Sequence, residues 1–274
     1  MTTGKALASL SEAKLRTWIL ARMREDQVDP PIAESRLESP DDYVRVVHHT
    51  TTDKKFRAKL EKAALAALSE VAASDLHAGA DARAARNLAA LMDGLDLRGA
   101  APILQAIAER GAFGGHKGGL DPDAEEMVLF ALAGLQTKKT LWDKWLTLWQ
   151  QEIPRLWPVI TAGLRLSNAE KALGILPLAV RRAATHAEFP LGEVLWAFAT
   201  EQPVGSGAFA EALKDLSSEE LHRCREALRA MGAVQNEIDA WVPLKKKVAT
   251  SDVLVWTRKF ECKQLPRIGE YACR

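Results

Sequence analysis

The residues best suited to chemistry lie in the run GAFGGHKGG, positions 111–119. Gly111 and Lys117 have the separation of a phosphate-binding P-loop, whose backbone amides cradle phosphate oxygens. His116 stands where the glycine before the lysine belongs, and Gly118 where a Ser or Thr would hold magnesium. The run also follows a predicted helix, whereas that motif follows a strand. It reads as a flexible connector between helices. His48, His49, His77, His116, His186 and His222 offer no pair at the helix-borne spacing, with a glutamate, that zinc hydrolases use. His222 and Cys224 sit two apart on a predicted helix and point to different sides. Gly205-Ser206-Gly207 is too short for a serine elbow and reads as a helix start. Asp121, Asp123, Glu125 and Glu126 cluster at a predicted helix N-terminus, where they suit the dipole without a catalytic role. The sequence therefore predicts no catalytic residue, no metal site and no cofactor, and a chain that is not an enzyme.

These residues need a scaffold, and composition describes it. The chain has 274 residues, with 47% hydrophobic and 27% charged side chains, values of an ordinary globular protein. Its 37 basic and 36 acidic residues give a net charge of +1, so no whole-chain field recruits nucleic acid or anionic membrane. Charged residues recur through the first twenty-five positions, which interrupts any signal-peptide core. No apolar run has the length of a membrane span. Three cysteines, Cys224, Cys262 and Cys273, point to a reduced, cytoplasmic protein. A Cys262–Cys273 bridge is compatible with the sequence but not demanded by it.

Helix formers prevail almost throughout, so the chain is predicted to be all-α. Ser9 and Glu12 have capping-box spacing before a helix whose buried stripe is Leu15, Trp18, Ile19 and Met23. A proline-marked connector at 29–40 leads to a short helix ending near Val47. Helices are then expected over about 53–73, 81–93, 100–110 and 122–135. Ser167 with Glu170, and Ser217 with Glu220, repeat the capping-box spacing. Pro177 should kink or divide the helix it falls in, and Gly232 should end another.

Residues 140–166 hold four of the eight tryptophans. On a helix over about 140–151, Trp142, Trp145 and Trp149 fall within about 60° of one another, with Leu146 beside them. Pro158 opens the next helix, just after Trp157. So bulky a stripe must be covered, either by the rest of this chain or by a partner. Trp142, Trp145, Trp149 and Trp157 are accordingly both core candidates and partner-binding candidates.

Near Pro243 the character changes. Residues 242–274 carry eight basic and three acidic residues, a net +5, which leaves −4 for the rest. This stretch lacks a helical stripe and is expected to be a short extended or β-like arm. Its partner-binding candidates are Lys245, Lys246, Lys247, Trp256, Arg258 and Phe260. The expected organisation is a helical-repeat domain over 1–242, with N-terminal helices and connector in 1–50 and stacked helix pairs in 51–242. The basic arm, 243–274, completes it.

Asp121-Pro122-Asp123 followed by Ala131-Leu132-Ala133-Gly134-Leu135 resembles the second-helix consensus of HEAT-like repeats. In that consensus an aspartate-proline start precedes a helix ending in alanine-leucine-x-x-leucine. AAPILQAIAERG at 100–111 is similar to the matching first helix. The family's usual valine-arginine pair falls here on Ala124 and Glu125, a departure. The resemblance covers about 100–135, and 81–215 only as a rhythm of paired helices. It implies an irregular α-solenoid of stacked antiparallel helix pairs that presents a surface to protein partners. The expected function is a non-enzymatic protein–protein interaction module, an adaptor or regulatory subunit of an intracellular assembly, with no small-molecule substrate. The alternative is a nucleic-acid-binding helical scaffold that uses the basic arm.

Overall fold

The computed structural model describes residues 4–25, 54–136, 141–200 and 205–243. The helix expected near 41–47 and the arm beyond Pro243 lie outside the described residues. Every regular element among the described residues is helical. None of these helices is long and apolar enough to cross a membrane. The chain divides into two compact units, Met1–Lys138 and Lys139–Arg274.

The first unit contains α1 (Gly4–Ser9), α2 (Glu12–Met23), α3 (Lys54–Ala72), α4 (Gly79–Gly94), α5 (Ala101–Arg110) and α6 (Pro122–Leu135). Helix α3 packs on α2, α4 and α5, while α6 packs on α4 and α5. The predicted face of α3, Phe56, Leu60, Ala64, Leu68 and Val71, is buried. Asp121 caps α6 by accepting from the amides of Asp123 (3.1 Å) and Ala124 (3.0 Å), with Pro122 in the first turn.

The second unit contains α7 (Trp142–Gln150), α8 (Trp157–Ser167), α9 (Leu176–Thr185), α10 (Leu191–Ala199), α11 (Gly205–Ala212), α12 (Ser218–Ala230) and α13 (Gln235–Trp241). Helix α10 packs against α8, α9, α11 and α12 and is the centre of the unit. Pro177 does divide its helix: a turn over Ala169–Ala172 and a 3-10 turn precede α9, which carries the proline in its first turn. Gly232 ends α12 with a φ of 96°, which a side chain would resist.

Two of the three expected capping boxes are replaced. Ser11, not Ser9, caps α2, accepting from the Lys14 amide at 3.3 Å. Ser9 belongs to the end of α1. Asn168, not Ser167, accepts from the Lys171 amide at 3.1 Å. Ser167 still lies in α8, where its hydroxyl donates to the Gly163 carbonyl at 2.6 Å. Spacing alone cannot separate a first cap from the last turn of the preceding helix. The third box is present with both bonds, Ser217 amide to Glu220 Oε2 (2.7 Å) and Glu220 amide to Ser217 Oγ (3.2 Å).

Helix C-termini are closed in a way the sequence did not announce. The last carbonyls of a helix lack intrahelical donors, and its dipole favours a cation there. In this chain the donors come from other helices. Lys59 of α3 donates to the Ala8 and Leu10 carbonyls, both at 2.6 Å. Asn87 of α4, buried, donates to the Met23 carbonyl at 3.0 Å. Arg110 of α5 bridges the Ala72 (2.5 Å) and Ser74 (2.7 Å) carbonyls beyond α3. In the second unit Arg182 of α9 donates to the Trp149 carbonyl (2.7 Å), and Arg225 of α12 to that of Val242 (2.6 Å). These side chains hold helix to helix.

The glycine-rich run 111–119 is buried at its start, Gly111–Phe113, and exposed over Gly114–Gly118. The buried Glu125 carboxylate accepts from the Ala112 amide at 2.7 Å, and Phe113 and Leu120 are buried. A Cβ on Gly111 would stand 2.3 Å from Glu125 Oε1, and one on Gly114 2.0 Å from the Glu109 carbonyl oxygen. Gly111, Gly114 and Gly119 are there for close approach, and Gly115 and Gly118 for their positive φ of 79° and 75°. Glu125, the departure from the HEAT-like pair, has this local task.

Candidate functional site

The tryptophan stretch forms a buried corner of the second unit. Trp145, Trp149 and Trp157 are 0–2% exposed, whereas Trp142 is half-buried, with Lys171 Nζ 6.0 Å from its ring centre. The buried face of α7 is Trp145, Leu148 and Trp149, and Leu146 is only half-buried. A Cβ on Gly163 would lie 2.3 Å from Trp145 Cδ2, so the absent side chain is what lets the indole lie flat on α8.

Around Trp149 and Trp157 the corner is polar at its edge. The Arg182 guanidinium lies 4.5 Å from the Trp149 ring centre and 5.7 Å from that of Trp157. Besides its bond to the Trp149 carbonyl it donates to Glu152 Oε1 at 3.2 Å. Glu152 follows α7 with φ 53°, the left-handed residue that ends the helix. His186 packs edge-on to Trp157 and lies 3.7 Å from Glu152 and 3.8 Å from Glu188. Phe189 closes the aromatic set, 5.7 Å from Trp149 and 4.8 Å from Trp157 between ring centres. The corner is a packed joint in which Arg182 already occupies the aromatic faces. Arg181 beside it points outward to Glu220 at 3.4 Å.

The other sequence-stressed groups are dispersed. Cys224 is fully buried, and loss of hydration pushes its thiol up to about 12, so it is inert as a nucleophile. Burial also lowers Arg165 from the usual guanidinium range. No group of three or more His, Cys, Asp or Glu is arranged to hold a metal among the described residues. Lys245, Lys246, Lys247, Trp256, Arg258 and Phe260 lie outside the described residues.

A second apolar surface emerges on α2, where the sequence reading placed only one. Leu15, Ile19, Leu20 and Met23 are buried in the unit, but Trp18 is not with them. One residue before Ile19, it is rotated about 100° away. It is half-buried and lines a shallow groove of about 440 Å³ together with Leu10, Ala13, Lys14, Thr17 and Ala21. Ala13, Lys14, Thr17, Trp18 and Ala21 recur at helical spacing on one side of α2, and that second period was the available signal. Arg16, Arg22 and Arg24 stand around this helix, 3.7, 3.1 and 2.7 Å from Glu70, Glu25 and Asp81. Lys14, in the lining itself, is exposed and has no such carboxylate among the described residues. The surface is apolar and shallow, with Lys14 as the charged residue of its lining among the described residues.

No protein-family model, no curated protein and no solved structure matches the chain.

Proposed function

We propose that this chain is a non-enzymatic protein-interaction module, an irregular stack of antiparallel helix pairs of HEAT-like character, serving as an adaptor or regulatory subunit. The observation that carries this reading is the double-faced α2. One apolar face is buried within its unit, and the other lines a shallow groove. Packing of each helix on its first or second described neighbour in the first unit supports the stacked arrangement. The inward ionisable groups support a structural rather than catalytic use, since Lys59, Arg110, Arg182 and Arg225 end on backbone carbonyls of other helices. The same commitment favours a protein partner over nucleic acid, because those cations are not available to phosphates.

The basic arm has a separate role in this reading, as a docking extension. Val242, just before the arm, is fully buried and its carbonyl accepts from Arg225. The test uses the full chain and a version truncated after Pro243 as baits, with recovered proteins quantified by mass spectrometry. A stoichiometric protein partner of the full chain, lost or weakened on truncation while melting stays within a few degrees, is the expected result. Recovery of no such protein, together with turnover of a small molecule or stoichiometric nucleic acid, overturns the proposal. An early melt of the truncated chain overturns the docking role of the arm and makes it a structural cap.

A further inference from the structure

We infer that the Lys117–Gly118 peptide bond is where an endoprotease of the trypsin class cuts the folded first unit, and that the cut unit stays assembled. This goes beyond the interaction-module reading and does not depend on it. Such an enzyme takes a lysine or arginine in an acidic pocket and pairs with the substrate backbone in extended form. A residue inside a helix has its backbone committed, so the candidates lie outside helices. Among the described residues the lysines and arginines outside the α-helices are Arg24, Arg98, Lys117, Arg155 and Lys214. Arg24 pairs with Asp81 at 2.7 Å, and its carbonyl accepts from Arg83 at 3.3 Å. Arg98 lies in a 3-10 turn, 3.5 Å from Asp96. Arg155 also lies in a 3-10 turn and is engaged within the chain, and Lys214 pairs with Glu211. Lys117 differs from all four. It is exposed, and among the described residues nothing pairs with its ammonium, its amide, its carbonyl or the Gly118 amide.

Space and backbone freedom favour the same bond. A Cβ built on Gly115 or Gly118 meets nothing within 4 Å, so the chain is open on both sides of Lys117. Glycine reaches extended as readily as left-handed backbone, which lets this turn straighten into a cleft. Straightening breaks the His116 amide bond to the Gly111 carbonyl (3.0 Å) and the Gly119 amide bond to the His116 carbonyl (3.2 Å), and water replaces both. The roots of the loop remain. Glu125 holds the Ala112 amide at 2.7 Å across the cut, and the Asp121 amide donates to the Leu76 carbonyl at 2.8 Å. Helices α5 and α6, one on each side of the cut, pack on each other. In the reaction one water supplies hydroxyl to the Lys117 carbonyl carbon and hydrogen to the Gly118 nitrogen as the C–N bond breaks. The pieces 1–117 and 118–274 are then held by packing and by hydrogen bonds that the cut leaves intact.

The test is limited digestion of the full chain with trypsin, followed by intact-mass spectrometry. Within residues 54–136 the first cut should fall after Lys117, at least about tenfold faster than the cut after Arg98, because proteolysis tracks the population of locally open chain. Unstructured peptides spanning 92–104 and 111–123 should be cut at comparable rates, which assigns the preference to the fold and not to the local sequence. Lys117→Ala should abolish this cut and leave the Arg98 rate unchanged, while Lys117→Arg should keep it. On gel filtration the cut chain should elute with the parent, and circular dichroism should show its helical signal retained. A first cut elsewhere within 54–136, a preference of the same size in the peptides, or cutting at all sites in parallel overturns the assignment of the bond. Pieces that elute separately overturn the claim that the cut unit stays assembled.

Discussion

Two apolar stripes containing tryptophan meet opposite fates in this chain. In the second unit Trp145, Trp149 and Trp157 are sealed among Phe189, Arg182 and the missing side chain of Gly163. On α2, Trp18 stands beside Ala13, Thr17 and Ala21 and remains half-buried at the edge of a groove. The residue type does not decide between core and surface. What decides is whether the neighbouring helix supplies large side chains and a cap for the polar edge, as α9 does with Arg182.

The sharpest way to break this contrast is to remove the deepest indole. Trp145→Ala should cost about 3–5 kcal/mol, because truncating a fully buried tryptophan leaves a cavity against α8. Gly163→Ala at the same contact should cost less, about 1–3 kcal/mol, since overpacking can be relieved by small shifts of the helices. Chemical denaturation of both variants checks the order. A Gly163→Ala variant as stable as the parent would show that α7 does not rest on α8 through this contact.

Arg182 comes next. Its removal leaves the Trp149 carbonyl and Glu152 without their donor and uncovers two indole faces. Arg182→Ala should lose about 2 kcal/mol. Arg182→Lys should restore less than half of that, because an ammonium lacks the planar fork that bonds and stacks at once. Full rescue by lysine would reduce the joint to simple charge attraction.

The sequence made one stripe visible and half-concealed the other. Helix positions over 54–72, 101–110 and 122–135, the cap at Asp121 and the division at Pro177 follow from short-range rules, and those rules act within a few residues. The burial of Trp145 and Trp149 was legible as one of two outcomes. The caps by Lys59, Asn87, Arg110, Arg182 and Arg225 were not, because they join residues 17 to 64 positions apart. Periodicity cannot register such pairs. Trp18 was assigned to the wrong stripe because a large apolar residue between two buried ones invites that reading, although helix geometry puts it elsewhere.

A smaller effect separates a cap in the second unit from both stripes. Glu220 is held below the usual carboxylate range, first by the Ser217 backbone amide that donates to it and then, more weakly, by the Ser217 hydroxyl and Arg181, against the opposing effect of burial. A carboxylate whose folded value is lowered contributes stability above its unfolded value and loses it as pH falls through the folded one. Glu220→Gln should therefore lower stability by about 0.5–1 kcal/mol at neutral pH. The difference should close as pH falls below about 4.5, the ordinary value for this group. Melting curves of parent and variant across that window provide the check, and a difference that persists at the acid end would assign the effect to packing.

The smallest stability change is expected at the floor of the α2 groove. Ala21 is exposed on the groove side of α2, and glutamine is nearly as good a helix former as alanine. Exposed substitutions away from caps and cores stay within about 0.5 kcal/mol. Ala21→Gln should therefore leave the melting temperature almost unmoved while filling that floor. The same substitution at Ala64, fully buried in α3, should cost several times more, because the amide would lose its hydration and find no room. The pair calibrates the α2 face against a position known to be core. If Ala21→Gln proves as damaging as Ala64→Gln, the α2 face is covered by the chain itself. It would then be a second core stripe like that of the tryptophan corner, and not an exposed groove.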